Sequence, residues 1–168
     1  GIIDLKSEES TRDFVEGMDK IPDIVVNNAA GNFLCPSHQL TYNGWNSVLN
    51  SVLRGSVDLT LKIGKKMIDN GKTGTFLNIS TNYANTGSAF VLPSAVAKAG
   101  CDNLTKSLAA EWGQYGIRLN SIAPGPIFTE GAFSRLDPEN RFVETAVKKL
   151  PLGRLGQPEE LANLACFI

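Results

Sequence analysis

Apolar positions in this chain follow two alternating rhythms. Short continuous runs occur at Gly1 to Ile3, Asp23 to Asn27 (DIVVN), Gly74 to Ser80 (GTFLNIS) and Gly116 to Ala123 (GIRLNSIA). Such runs suit strands of a parallel sheet, which are covered on both faces. Helical patterns lie between them. Ser7 to Met18 starts at a serine with acids in the first turn, as helix N-termini prefer. Trp45 to Ile68 places apolar residues at Trp45, Val48, Leu49, Val52 and Leu53, and Asn70-Gly71 marks its end. Pro93 opens another helix at the favoured first position, reaching about Trp112, and Pro158 starts the last one. Residues 28–42 and 81–92 read as loops, and a looser stretch with some helix reaches Leu152. The order β-α-β-α-β-α-β-α predicts an α/β fold with a parallel sheet. Ligands in such sheets bind beyond the carboxyl ends of the strands, so a site is expected from the loops after Asn27, Ser80 and Ala123.

The 168 residues suffice for one domain with a sizeable core. Net charge is −1, so no basic field points to nucleic acid or a membrane surface. No apolar run is long enough to span a bilayer. The cysteines, Cys35, Cys101 and Cys166, are odd in number and unpaired in spacing, which argues against a disulfide framework or zinc site. His38 is the only histidine, so a multi-histidine metal centre is excluded and a Ser-His-Asp triad is disfavoured. The first residues read as a strand end, the last (LANLACFI) as an uncapped apolar helix, and neither end carries a targeting peptide. The chain therefore reads as an internal fragment whose first and last elements are missing.

Candidate chemistry clusters at the strand ends. Ser94 and Lys98 are four apart on one helical face, among the small residues Ala95, Ala97, Ala99 and Gly100. A ligand or another helix could approach that face closely. Strand GTFLNIS delivers Ser80 and Thr81, with Tyr83 two residues on. A phenol is a weak acid (~10), and a nearby ammonium favours its ionised form, so this grouping can build a proton donor. On its own, Tyr83 is an ordinary loop aromatic. NNAAGNF follows a strand directly; its asparagines can pin neighbouring strands, and Asn32 could donate to a developing oxyanion. Pro124-Gly125-Pro126-Ile127 forms a rigid turn with room for a ligand, and Thr129 could donate to a phosphate or amide.

Taken in order, these pieces resemble the short-chain dehydrogenase/reductase family over essentially the whole chain. NNAAG is similar to that family's Asn-Asn-Ala-Gly motif, Lys98 sits at its helix lysine, and Pro124-Gly125 with Thr129 resembles its Pro-Gly motif. Three positions depart from the family pattern: the usual tyrosine is Ser94, the usual helix asparagine is Val52, and the usual serine is Thr81. NNAAGNF, YANTGSAFVLPSAVAKAG, PGPI and GAFSRLDP together resemble the mitochondrial-type 2,4-dienoyl-CoA reductases.

The resemblance implies a Rossmann-like doubly wound parallel sheet, truncated at both ends, without the glycine-rich loop of the first βαβ unit and without the last strand. It implies NADPH-dependent reduction of 2,4-dienoyl-CoA thioesters to trans-3-enoyl-CoA in fatty acid β-oxidation, in a homotetramer of the mitochondrial matrix, with peroxisome or cytoplasm as alternatives. Tyr83 becomes the proton donor, Asn32 holds the thioester oxygen, and Ser94 and Lys98 order the site. Lys98, Asp4, Asn28, Pro124, Gly125, Pro126 and Ile127 become cofactor contacts. Lys6, Phe33, Thr41 and Arg135 become acyl-CoA contacts, although Arg135 could equally pair with Asp137 on the surface. The alternatives are another short-chain enoyl or carbonyl reductase, or a non-catalytic truncated subunit that only oligomerises.

Overall fold

In the computed structural model of the chain, residues 1–129 and 147–168 are described. They form two compact units, Gly1–Ala123 and Pro124–Ile168.

The first unit is α/β and Rossmann-like. Its strands β1 (Ile24–Asn27), β2 (Gly74–Ile79) and β3 (Ile117–Ile122) pair in parallel in the order β1-β2-β3. Register aligns Val25, Phe76 and Leu119 on one face, with Asn27, Asn78 and Ser121 further along it. Helices α1 (Glu8–Glu16), α3 (Gly55–Asp69) and α5 (Leu92–Trp112) bring Val15, Ile63, Met67, Leu108 and Trp112 into one core with Val25, Phe76 and Leu119. Phe76 and Trp112 meet as tilted rings with centroids 6.1 Å apart. Trp112 also lies against Gly64, where an added Cβ would sit 2.3 Å from the indole. Only glycine lets α3 and α5 approach this closely.

A polar ladder crosses the core. Asn27 Nδ2 donates to Thr60 Oγ1 (2.9 Å) and Asn78 Oδ1 (2.8 Å), Asn78 Nδ2 donates to Thr105 Oγ1 (2.7 Å), and Thr105 Oγ1 donates to Cys101 O (2.8 Å). Buried amides need such partners. The ladder ties β1, β2, α3 and α5 together just below the carboxyl ends of the strands, and Asn27 does pin neighbouring elements as its motif suggests.

Several sequence expectations change. Gly1 to Ile3 is not a strand: Ile2 is fully exposed and, among the described residues, no strand pairs with this segment. Asp23 to Asn27 is buried on one face only, since Ile24 and Val26 are 68% and 54% exposed. The helix expected at Trp45 starts at Tyr42, capped by Thr41 Oγ1 accepting from Gly44 N at 3.0 Å. It divides into α2 (Tyr42–Val48), a π-helical stretch (Leu49–Arg54) and α3. The loop after Ser80 contains a short helix, α4 (Tyr83–Thr86). Helix α5 begins at Leu92, so Pro93 is its second residue.

In the second unit, α6 (Pro158–Phe167) starts where Pro158 predicts, with Gln157 and Glu160 closing a capping box. No helix among the described residues is long and apolar enough to cross a membrane.

Candidate functional site

The carboxyl ends of β1 and β2 deliver two loops that the structure ties together. Cys35 N donates to Phe90 O at 2.8 Å. Phe90 adopts φ 67°, a left-handed backbone that a bulky residue takes only under constraint.

Lys98 is the anchor of this region. It projects from α5, is 8% exposed, and its Nζ donates to Ile79 O at the end of β2 and to Ala29 O (3.4 Å) after β1. An ammonium carries three donors, so one remains after these two carbonyls. Burial pushes the Lys98 pKa below the usual lysine range, opposed by charge interaction with Cys101 and Asp102. The same burial pushes the Cys101 thiol upward. Asp102 is itself buried and accepts from Ser121 Oγ at 2.7 Å.

One turn before Lys98 is Ser94, 3% exposed. Its Oγ lies 3.0 Å from the phenolic oxygen of Tyr83, the first residue of α4. Ser94 thus links Tyr83 to the helix that carries Lys98. Beside it, Ser80 Oγ is buried with no hydrogen-bond partner. The spare Lys98 donor fits the hydroxyl groups of a nucleotide sugar.

Asn32 is exposed on the loop after β1. Its Oδ1 accepts from Phe33 N at 2.9 Å, which leaves Nδ2 as a donor. Asn28 is exposed on the same loop. Phe33 is half-buried against the small core of Val48, Val52 and Ala97. Val52, at the family's usual asparagine position, is fully buried, and its carbonyl accepts from Ser56 Oγ at 2.8 Å and Cys101 Sγ at 3.5 Å. The small-residue face of α5 receives another helical segment at Gly100, where an added Cβ would sit 2.8 Å from Leu53.

Asp4, Lys6 and Thr41 of the first unit spend their hydrogen bonds elsewhere than on Tyr83, Ser94 or Lys98. Asp4 Oδ1 accepts from Lys6 N at 2.9 Å, which builds the turn entering α1, and both side chains are exposed. Thr41 spends its oxygen on capping α2. Two cavities flank α1: one of ≈ 970 Å³ beside Ile2 and Phe14, and one of ≈ 250 Å³ beside Arg12 and Lys66. None of the candidate residues lines either. Pro124, Gly125, Pro126 and Ile127 lie in the second unit, where Ile127 forms a parallel bridge with Gly156. Arg135 lies outside the described residues.

Three features escaped the sequence reading: the unpartnered Ser80 hydroxyl, the carbonyls that hold Lys98, and a bidentate Arg154–Glu160 pair at 2.7 and 2.8 Å. Of these, only Glu160 left a trace, in the Gln-x-x-Glu capping pattern around Pro158.

Comparison with known proteins agrees with the α/β fold. Residues 3–168 match the family model described as enoyl-(acyl carrier protein) reductase. An uncharacterised oxidoreductase of Caenorhabditis elegans is 49% identical over 149 residues, covering 88% of this chain and 48% of that protein. A second protein of that organism, named "Probable 2,4-dienoyl-CoA reductase", (3E)-enoyl-CoA-producing, is 42% identical over 172 residues, 99% of this chain and 56% of that protein. A peroxisomal 2,4-dienoyl-CoA reductase of Danio rerio is 37% identical, covering 87% of this chain and 50% of that protein. The chain thus spans about half the length of these relatives. Among solved structures, a Bacillus anthracis short-chain dehydrogenase superposes with TM-score 0.85 at 44% identity, covering 98% of this chain and 65% of that one. An Agrobacterium tumefaciens protein provisionally described as a 2-deoxy-D-gluconate 3-dehydrogenase, with bound NADP, gives TM-score 0.91 at 30% identity, covering 99% and 67%. With a family model matched along nearly its whole length and the fold shared with solved members, the chain belongs to the short-chain dehydrogenase/reductase family.

Proposed function

We propose that the full chain reduces 2,4-dienoyl-CoA thioesters to trans-3-enoyl-CoA with NADPH, in the oxidation of unsaturated fatty acids. The observation that carries this reading is the 3.0 Å contact between Tyr83 and Ser94, one turn from Lys98. It supplies a phenol where the ordinary family tyrosine is missing. The relatives named as dienoyl-CoA reductases support the substrate class, and the NADP-bound structural neighbour supports a nicotinamide cofactor.

When bound, the nicotinamide supplies hydride to the far end of the diene. This chain's residues handle the charge and the proton. Negative charge develops on the thioester oxygen, and Asn32 Nδ2 and the Tyr83 phenol stabilise it by donating hydrogen bonds. Tyr83, or a water it orders, then delivers a proton to the carbon beside the thioester, leaving the 3-enoyl product. Ser94 holds the phenol in place. Lys98 directs its remaining donor to the nicotinamide ribose, with Asn28 beside it and Asp4 at the adenine end. Within the second unit, Pro124, Gly125, Pro126 and Ile127 form a cofactor-contacting turn, a role resting on the motif. Lys6, Phe33, Thr41 and Arg135 contact the acyl-CoA. The assembly is a homotetramer of the mitochondrial matrix, with the peroxisome as the alternative that the zebrafish relative's name favours.

The test is a steady-state assay of the full chain with a 2,4-dienoyl-CoA and NADPH, with the product identified by NMR. Turnover that yields the 3-enoyl thioester supports the reading. No turnover of the diene, with turnover of a simple 2-enoyl thioester, replaces it with enoyl reduction, the reaction in the matched family model's description.

A further inference from the structure

In the second unit, one exposed ion pair sits directly behind the Pro124–Ile127 turn. The Gly156 backbone grips the turn from one side: Gly156 N donates to Pro126 O at 3.0 Å, and Phe128 N donates to Gly156 O at 2.9 Å. This is the parallel bridge between Ile127 and Gly156. In extended backbone, the N–H and C=O of one residue point opposite to those of its neighbours. The Ile127 N–H and C=O therefore face away from Gly156, a donor and an acceptor side by side. That pairing is complementary to a primary carboxamide, which carries the same two groups.

Gly156 is held in turn. Glu160 Oε2 accepts from Gln157 N at 2.8 Å and from Arg154 Nη1 at 2.8 Å, and Glu160 Oε1 accepts from Arg154 Nη2 at 2.7 Å. Arg154 Nη1 also donates to Leu155 O at 3.1 Å, and Leu155 is buried. One carboxylate and one guanidinium thus span the segment on both sides of Gly156, from Arg154 to the first turn of α6. A bidentate fork fixes orientation as well as distance. The two charged side chains are 51% and 49% exposed.

We infer that Arg154 and Glu160 are positioning residues for cofactor recognition, holding Gly156 so that the outward edge of Ile127 is presented to the nicotinamide carboxamide. The inference rests on the proposed cofactor role of the Pro124–Ile127 turn. Neither side chain touches the cofactor. They act through Gly156, and their effect belongs to NADPH binding rather than to acyl-CoA binding or the proton step.

The experiment uses the full chain and compares wild type with Arg154→Lys, Glu160→Gln and the exchanged pair Arg154→Glu/Glu160→Arg. NADPH affinity is titrated by fluorescence; kcat and both KM values come from the dienoyl-CoA assay; a thermal melt accompanies each variant. Exposed pairs contribute modestly, so KM and Kd for NADPH are expected to rise about fivefold in Glu160→Gln. The acyl-CoA KM and kcat stay within about twofold of wild type. Arg154→Lys, which keeps the charge and loses the fork, falls between, and the exchanged pair recovers part of the affinity. Unchanged NADPH affinity in both single variants overturns the inference. So does a fall in kcat and a rise in both KM values together with a lowered melting temperature, which marks a purely structural pair. If wild type itself neither binds NADPH nor oxidises it with a dienoyl thioester, the functional reading fails and takes the inference with it.

Discussion

Tyr83 Oη stands 3.0 Å from Ser94 Oγ, so the phenol proposed to act is held by the helix that also carries Lys98. Removing the phenolic hydroxyl in Tyr83→Phe is expected to lower kcat by at least about 100-fold, the usual contribution of a placed acid. NADPH binding should persist. Ser94→Ala leaves the phenol in place but unheld, and a loss of about tenfold is expected. Steady-state kinetics of both variants provide the check, and wild-type rates in Tyr83→Phe would remove Tyr83 from the mechanism.

Lys98 has its pKa lowered by burial, and this has a definite sign for stability. Between the folded-state value and the ordinary value of 10.5, the unfolded chain holds more protons than the native one. Stability attributable to Lys98 therefore rises with pH across that window and is lost as pH falls through the folded-state value. Urea denaturation of wild type and Lys98→Met in alkaline buffers should show the wild type gaining on the variant as pH rises toward 10.5. Parallel curves would show that the ammonium is not desolvated. The variant should be inactive in either case.

Glu160 works in the opposite direction. Its hydrogen bond from Arg154, then the one from Gln157 N, bring its pKa down from 4.5 to about 2. Its contribution is present above 4.5 and disappears as pH falls toward about 2. Acid unfolding of Glu160→Gln should lack that component. Because the pair is exposed, added salt should shrink the difference. A wild type and variant with the same acid profile at low salt would contradict the assignment.

Asn78 links Asn27 to Thr105 while 1% exposed. Asn78→Ala removes both bonds and leaves an amide and a hydroxyl short of partners, at a cost of about 3 kcal/mol. Chemical denaturation measures it; a loss below about 1 kcal/mol would mean that water replaces the amide readily.

Much of this arrangement was readable from residue order because it depends on local chemistry. Ser7 before acidic residues and Pro158 before Glu159 and Glu160 mark helix starts, and both helices begin there. GTFLNIS and GIRLNSIA carry enough apolar β-formers to be strands in any parallel context. The misread elements depend on neighbours. Gly1 to Ile3 has a strand's composition and, among the described residues, no strand beside it. The π-helical stretch at Leu49–Arg54 contains no proline or glycine to announce it. The Tyr83–Ser94 contact joins residues eleven apart through the backbone turn at Phe90, whose left-handed conformation no phenylalanine advertises. The Arg154–Glu160 fork closes over six residues, outside the three- and four-residue spacings that helix patterns reveal.

Ile24 and Val26 stand clear of the core on β1, at the border of the three-stranded sheet. Branched aliphatic side chains that point outward from the border of the described sheet are suited to cover by a further element, as parallel strands are covered on both faces.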